Sequence, residues 1–552
     1  MGVQMINRAG WAGSLGCKWL LELCLCLAMV LAGGLGAAAQ TSHPGQAPPT
    51  QAKPGEQAGQ KSQDGDTHIT PEQAKELFAA VDQLMQFSSQ ETGLPIKSTV
   101  KRQIRSRADV ESYLKEKFDE DEDAKRLQRS EIVLKKFGLL DHDFDLKPFL
   151  LALLTEQIQA YYDSKTKTVN LLDWVSVDEQ KAVLAHELTH ALQDQHVDLE
   201  KWSDQTPDDV STNYRDDVDH LAKDEMDTAR EAVSEGQATA VMMDNILKPM
   251  GKSLIKDPEV VDFIKQNMTG SDSSPVMARA PLLLSESMLF PYREGLSFEQ
   301  DLWMDDGQTA AFAGALDHPP TSSWEIINPR VFEEHKVPMI PFMPDIHPLV
   351  DKTYRPYDIG QVGELDLHIL AQLFGGDAAA RDLSPAWDGG IYWAGQRLDA
   401  TPAEQTQTKS ISFFYLSAWK SAASAQSFAQ LYADSLGRKY SGLHREESGQ
   451  TPADAPAGTT EDVYTTNEGP VVITTRDKLV FVSESFDLPL ARKLAELLLD
   501  TQGTGEMKMA QTPRADGPAQ GALPTLSGGL LHLFADCGVM KAATDAVMRA
   551  AR

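Results

Sequence analysis

Two histidines and a glutamate fall within the segment His-Glu-Leu-Thr-His at residues 186–190. A helix turns by about 100° per residue, so side chains four residues apart lie on one face. His186 and His190 would therefore direct two imidazoles at one point, and neutral imidazoles bind Zn²⁺ well. Glu187 could take a proton from a water that the metal activates. This spacing predicts a zinc site that hydrolyses peptide bonds, with Glu187 as the general base.

The residues around this motif are uncharged, both in the preceding Val183-Leu184-Ala185 and at Leu188, Thr189, Ala191 and Leu192. A helix that carries a buried metal needs such flanks, whereas a chance match on a solvated helix would show charges. The alternative interpretation is an ordinary core helix with two hydrogen-bonded histidines. The motif and its flanks together favour the metal site.

A catalytic zinc ion needs a third protein ligand, which leaves the fourth position for water. One candidate is His196, ten residues after His186, which is the spacing that metzincins use. In that class a glycine breaks the helix between the second and third histidines, but Gln193 stands at the corresponding position here. An unbroken helix would carry His196 about 15 Å along its axis from His186, out of reach of the metal.

The preferred third ligand is Glu235, which lies on a later predicted helix, as in gluzincins. One face of that helix carries a stripe of small residues, Ala229, Ala232, Gly236 and Ala240. Such a stripe lets another backbone approach closely, and Glu235 borders it. Glu231, one turn earlier, is the alternative and points further from the stripe. The predicted metal ligands are therefore His186, His190 and Glu235.

Other side chains must orient the ligands and stabilise the charge that develops on a substrate. Thermolysin-like enzymes have an aspartate four residues after the glutamate ligand, but Thr239 stands there in this chain. Asp194 and Asp227 are candidates for orienting His186 or His190. Three downstream residues are candidates for stabilising an oxyanion, with a structural role as the alternative for each: Tyr292, Arg293 and His318.

The motif and its surroundings resemble a family of uncharacterised exported zincin-like proteins from bacteria and archaea. The most specific match is the run from Leu184 to Gln195, followed by Ala229-Arg230 and Glu235-Gly236-x-Ala238. Weaker matches within roughly residues 70–500 are Tyr162-Asp163, Phe290-Pro291-Tyr292 with Gly295 and Phe298, Pro319-Pro320-Thr321-Ser322, and Asn328-Pro329. The chain departs from the family around Trp324, where members carry a Ser-Thr-Glu-Gln-like run. The resemblance implies a zincin core and a peptidase-like site of the gluzincin type, without indicating a substrate.

The hydrophobic pattern around the motif predicts the elements that position it. Helix-capping signals mark where helices begin, and alternating apolar residues indicate strands. In chain order we expect a helix from Thr70, a β-hairpin formed by residues 157–162 and 168–172, a helix from Asp178 to about His196, and a helix over roughly Lys223 to Leu247.

A second unit is predicted from residue 346 onward. Helices are expected at 363–374, 422–436 and 488–499, and strands at 390–394, 410–416, 461–465, 471–475 and 479–483. The predicted fold class is therefore α+β. It combines a mostly helical, zincin-like domain that contains a small sheet with a C-terminal α+β sandwich whose sheet has four or five strands.

The first forty residues predict export. Arg8 and Lys18 accompany an apolar run from Trp19 to Leu35, and Ala37-Ala38-Ala39 offers a cleavage site. An uncleaved membrane anchor is the alternative.

The expected organisation is a signal peptide (1–39), a disordered linker (40–67), a zincin-like domain (68–345), a C-terminal α+β domain (346–500), and a linker with a tail helix (501–552). Cys537 is the one cysteine outside the leader, so the mature chain has no intramolecular disulfide.

The formal net charge of −30 argues against partners that carry phosphate. A chain this acidic repels nucleic-acid backbones and anionic lipid headgroups. A nucleotide-binding loop is also missing from the sequence. The expected partner is a peptide or protein substrate, met in the periplasm or outside the cell, with membrane contact only through an uncleaved anchor.

Two functions remain open from the sequence. The first is an exported, zinc-dependent metallopeptidase. The second is a catalytically silent envelope or secreted binding protein that keeps the zincin fold and a structural zinc. Glu187 favours the first, because a purely structural site has no need of a carboxylate beside its first ligand.

Overall fold

The computed structural model describes residues 68–120, 122–203, 205, 213–268, 274–446, 456–502, 530, 534 and 541–550. All of them belong to one compact unit. The predicted signal peptide (1–39) and linker (40–67) lie outside the described residues, as do Cys537 and most of the predicted linker and tail (501–552).

The first part of the described chain is mostly helical and contains a small sheet. Its strands are β1 (Lys101–Arg105), β2 (Ala160–Asp163) and β3 (Thr168–Leu172). Its helices are α1 (Pro71–Thr92), α2 (Arg107–Glu120), α3 (Glu122–Phe137), α4 (Leu146–Gln157), α5 (Val177–Val197), α6 (Leu199–Ser203), α7 (Tyr214–Lys223), α8 (Met226–Leu247), α9 (Glu259–Asn267), α10 (Leu282–Phe290), α11 (Leu296–Asp305), α12 (Ala315–Asp317), α13 (Ser323–Ile327) and α14 (Pro329–Glu333). Two π-helical segments, Pro291–Gly295 and Ala310–Gly314, interrupt this series.

The second part is built on a larger sheet. Its strands are β4 (Tyr354–Gln361), β5 (Trp387–Arg397), β6 (Ile411–Trp419), β7 (His444–Arg445), β8 (Thr459–Thr466), β9 (Gly469–Arg476) and β10 (Leu479–Glu484). Its helices are α15 (His347–Val350), α16 (Glu364–Leu383), α17 (Ala422–Lys439), α18 (Leu488–Thr501) and the tail helix α19 (Lys541–Ala550). The α+β prediction is confirmed.

Side-chain caps set the starts of α1 and of α5, the helix that carries the His-Glu-Leu-Thr-His motif. Thr70 caps α1 and exchanges hydrogen bonds with Gln73. Ser176 caps α5 in the same way, and its hydroxyl lies 2.7 Å from the carboxylate of Glu179. Such a capping box satisfies amide groups that have no partner inside the helix. Both helices therefore begin where local sequence dictates.

The small sheet has the order β1-β3-β2. Strands β2 and β3 pair in antiparallel fashion, so the predicted hairpin is confirmed. Strand β1 pairs with β3 in parallel and was not expected, because its sequence, Lys-Arg-Gln-Ile-Arg, has one apolar residue in five. Strand β2 lies at the edge of this sheet and packs against α5.

The larger sheet is antiparallel throughout, with the order β4-β5-β6-β10-β9-β8-β7. The expectation of four or five strands is therefore wrong, since the described residues contribute seven strands to this sheet. The unforeseen strands are its two edges. Strand β4 contains Pro356 and Asp358, which disfavour regular strands, and its register shifts between them. Strand β7 has only two residues.

Residues from both sheets enter one hydrophobic core, including Val169 of β3 and Phe413 of β6. The ring of Phe137 in α3 lies 4.4 Å from that of Phe413. Beside it, the fully buried ammonium of Lys136 pairs with Glu468 at 2.7 Å. Removing one partner of a buried pair costs about 3–5 kcal/mol, so this contact holds α3 to the turn between β8 and β9. The boundary at residues 345 and 346 stays a prediction.

Among the described residues, no helix is both long enough and apolar enough to cross a bilayer. The tail helix α19 instead packs on the first part of the chain, where Arg549 donates a hydrogen bond to the carbonyl oxygen of Asn267 at 2.8 Å.

Candidate metal centre

Helices α5 and α8 pack against each other and bring the three predicted ligands together. Nε2 of His186 lies 2.8 Å from Nε2 of His190 and 3.0 Å from Oε2 of Glu235. Nε2 of His190 lies 3.5 Å from Oε1 of Glu235. The two imidazoles and the carboxylate are almost completely buried, with side-chain exposures of 1%, 12% and 3% in chain order.

This group fits a metal ion. Two ligand atoms that each lie 2.0–2.1 Å from a tetrahedral zinc ion are about 3.3 Å apart, close to the three distances here. A carboxylate and two imidazoles are also a donor set that suits zinc. Buried polar groups of this kind need a partner, and a shared cation satisfies all three at once. His186, His190 and Glu235 could therefore hold a metal ion.

The alternative ligands lie elsewhere. Helix α5 continues unbroken to Val197, and His196 pairs with Asp317, with 2.9 Å between Nε2 and Oδ1. Glu231 is buried one turn before Glu235 but does not join the converging group. Across the described part of the chain, no second cluster of metal-ligating side chains converges in this way.

Charge in the group is balanced between the three side chains. Burial, reinforced by His190, lowers the pKa of His186 to about 4. Burial also opposes protonation of His190, but Glu235 and Glu187 outweigh it and raise the pKa of His190 to about 9. Burial raises the pKa of Glu235, yet the two histidines outweigh burial and hold this pKa below its usual range. Glu235 therefore favours its ionised form, and a cation shared with the two histidines would balance that negative charge.

Glu187 lies beside the metal group without belonging to it. The backbone N–H of Tyr162, on edge strand β2, faces its carboxylate and favours its ionised form, which opposes the effect of burial on its pKa. Its Oε1 is buried and accepts no hydrogen bond from the described residues. Burial raises the pKa of Glu187 to about 7, which suits a group that must both take and return a proton near neutral pH.

Of the three oxyanion candidates, the structure brings only Tyr292 to the centre. Its ring stacks on that of His186, with 6.3 Å between the centroids. Burial raises the pKa of Tyr292 well above its usual value, and Glu235 and Glu187 raise it further, so the hydroxyl stays protonated. Arg293 pairs instead with Glu286, and His318 is exposed.

The predicted small-residue stripe explains how Tyr292 reaches the site. A Cβ atom added to Gly236 would lie 2.3 Å from the carbonyl oxygen of Gly295, and one added to Gly295 would lie 2.1 Å from that of Ala232. The backbone that meets the stripe is thus the π-helical segment Pro291–Gly295, which carries Tyr292. Short π-helical segments inside α-helices occur frequently at functional sites.

We expect Gly236→Ala to destabilise the protein, because its new methyl group meets backbone that cannot rotate away. Overpacking of this kind costs about 1–3 kcal/mol, which denaturant unfolding would measure. Gly437→Ala is the matched control, since Gly437 lies in helix α17 and an added Cβ meets nothing within 4 Å. Alanine there should be neutral or stabilising. Equal stability of Gly236→Ala and the wild type would contradict the close packing.

The residues that orient the site differ from those expected. Asp194 does not touch either histidine ligand; it accepts hydrogen bonds from the hydroxyl of Tyr162 at 2.8 Å and from Lys167 at 2.7 Å. It thereby fastens the β2–β3 hairpin to α5. Asp227 accepts a hydrogen bond from the backbone of Gln205. The contact to His190 comes from Gln193, whose Oε1 lies 2.9 Å from Nδ1.

The position of Gln193 in the sequence contained the signal for this contact. It follows His190 by three residues, which places both side chains on one face of α5.

Comparison with known proteins assigns neither a family nor a function to this chain. No family model matches the chain, and neither the curated proteins nor the solved structures include a match.

Proposed function

We propose that this protein is an exported, zinc-dependent peptidase with a zincin-like, gluzincin-type centre. The observation that carries the proposal is the convergence of His186, His190 and Glu235 beside a buried Glu187 whose Oε1 accepts no hydrogen bond from the described residues. Three protein ligands leave one position of a tetrahedral ion open, as catalytic zinc requires.

The residues divide the work of peptide hydrolysis among them. Zinc held by His186, His190 and Glu235 would supply a water of lowered pKa and polarise the scissile carbonyl. Glu187 accepts the proton of the attacking water on Oε1 and returns it to the leaving amine. The protonated hydroxyl of Tyr292 is available as a hydrogen-bond donor to the oxyanion.

A silent protein with a structural zinc is the competing function. Structural sites are usually closed by four protein ligands, whereas three converge among the described residues here. A structural site also gives no reason to bury Glu187 with an unsatisfied oxygen, which costs about 1–3 kcal/mol. Export rests on the charged and apolar pattern of residues 1–39.

The test is turnover of a mixture of internally quenched peptides by the purified chain. We expect hydrolysis that a zinc chelator abolishes and that added zinc restores. Chelator-resistant hydrolysis would point to a contaminating or different activity. Zinc-loaded protein that cleaves none of the peptides would support the silent alternative.

A further inference from the structure

Behind the metal centre lies a chain of two buried glutamine amides, here called the amide relay, Gln193 and Gln237. Oε1 of Gln193 lies 2.9 Å from Nδ1 of His190, and its Nε2 lies 2.9 Å from Oε1 of Gln237. Nε2 of Gln237 lies 2.9 Å from the carbonyl oxygen of Ala311 and 3.0 Å from that of Phe312. Both side chains are completely buried.

Backbone carbonyls set the direction of this relay, because a carbonyl oxygen only accepts hydrogen bonds. The amide nitrogen of Gln237 must face Ala311 and Phe312, so its oxygen faces Gln193. The nitrogen of Gln193 must also face the carbonyl oxygen of Ser234, 3.0 Å away. The oxygen of Gln193 is therefore left for His190. The orientation of a glutamine amide is assigned from its hydrogen-bond network. Here every hydrogen bond of the two glutamines requires the same placement of their nitrogen and oxygen atoms.

The end of the relay determines the hydrogen on His190. Because Oε1 of Gln193 is an acceptor, Nδ1 of His190 must carry a hydrogen and donate it. The neutral ring then has its lone pair on Nε2, the atom that faces His186 and Glu235. We propose that Gln193 is a positioning residue that fixes both the tautomer and the ring orientation of His190 for metal binding. This inference rests on the proposed metal-dependent function.

An amide suits this position better than the carboxylate that often holds a metal-bound histidine. Glu187 and Glu235 already place two carboxylates in the buried centre. A third would add charge where solvation is poor. An ionised carboxylate at position 193 would also have no hydrogen to give to Ser234 or Gln237, so two acceptors would face its second oxygen. The structure thus predicts that glutamine works here and glutamate does not.

The test compares zinc affinity among purified variants by competition with a chromophoric chelator. Gln193→Met keeps the volume and removes the acceptor, and we expect zinc affinity to fall by about 10–100-fold. Gln193→Glu is nearly isosteric and should also bind zinc more weakly than the wild type. The visible spectrum of the cobalt-substituted protein should change in both variants, because the geometry at His190 changes.

Gln180→Met is the matched control. Gln180 is another fully buried glutamine of α5, and its amide bonds to Leu172 and Val175 rather than to the metal group. It should lose stability yet keep wild-type zinc affinity and cobalt spectrum. A purely structural role for Gln193 predicts the same behaviour for Gln193→Met.

The possible outcomes distinguish a failure of this inference from a failure of the proposed metal-dependent function. If the wild type binds no zinc, both are overturned. If the wild type binds zinc and Gln193→Met binds it equally well, only the positioning role falls. If Gln193→Glu bound zinc as tightly as the wild type, the donor role assigned to the Gln193 amide nitrogen would be wrong. Weaker zinc binding in both Gln193 variants, with wild-type binding in Gln180→Met, would support the positioning role of Gln193.

Discussion

Glu187→Gln is expected to lower kcat/KM for peptide hydrolysis by about 10²–10⁴-fold while zinc remains bound, since general-base catalysis contributes that much. The amide keeps the shape of the side chain but cannot take a proton. Glu187 is not among the three converging ligands, so the metal group stays intact. Steady-state kinetics and zinc analysis of the same preparation measure the two effects separately.

Glu179→Gln is a suitable control for this variant. Glu179 belongs to the same helix and caps its first turn, where glutamine serves equally well. Its turnover and zinc content should match those of the wild type. If Glu187→Gln lost its zinc, the roles of ligand and base would be wrongly assigned; if it kept full turnover, Glu187 would not be the base.

Glu235→Ala should weaken zinc binding by on the order of a hundredfold or more, equivalent to several kcal/mol, because one of three protein ligands is gone. His196→Ala should leave zinc affinity near that of the wild type, since its imidazole pairs with Asp317 away from the centre. Zinc titration of the two variants under the same conditions compares them directly.

The neighbouring glutamate controls for the general effect of removing a buried acid from α8. Glu231 is buried one turn before Glu235, so Glu231→Ala changes the same helix without removing a ligand. If Glu231→Ala lost the metal and Glu235→Ala retained it, the register of the helix toward the metal would be one turn off. Loss of zinc in His196→Ala alone would make the centre metzincin-like.

The sequence was sufficient to predict features that depend on residues within one helix or one hairpin. The spacing of His186 and His190 on a helix, the start of α1 at Thr70 and the β2–β3 hairpin depend on residues close in the chain. The small-residue stripe around Gly236 also predicted a close backbone approach, which the structure contains. These features follow from helix periodicity, capping and side-chain size.

Sequence was insufficient where distant segments meet. Tyr292 could not be distinguished from Arg293 or His318, because only the packing of the π-helical segment on Gly236 brings it to the metal group. The orienting role of Gln193 depends on carbonyl oxygens more than 100 residues away, at Ala311 and Phe312. Neither contact leaves a periodic pattern in the chain.

The edges of the sheets were missed for a different reason. Strand β1 is largely charged, and β4 contains a proline, so neither shows the alternating apolar pattern that marks a strand. Each gains its place by hydrogen bonding to a neighbouring strand, β3 for β1 and β5 for β4. Pairing of that kind is a tertiary effect that overrides weak local preference.

The most direct test of the proposed centre is the number of zinc ions per chain in protein purified without chelator, measured by elemental analysis. The arrangement of His186, His190 and Glu235 predicts about one zinc per wild-type chain and little in His186→Ala, because two imidazoles and a carboxylate form the group. Wild-type protein that contains no zinc and takes up none when it is supplied, or His186→Ala protein that retains a full equivalent, would contradict the metal centre on which the proposed function depends.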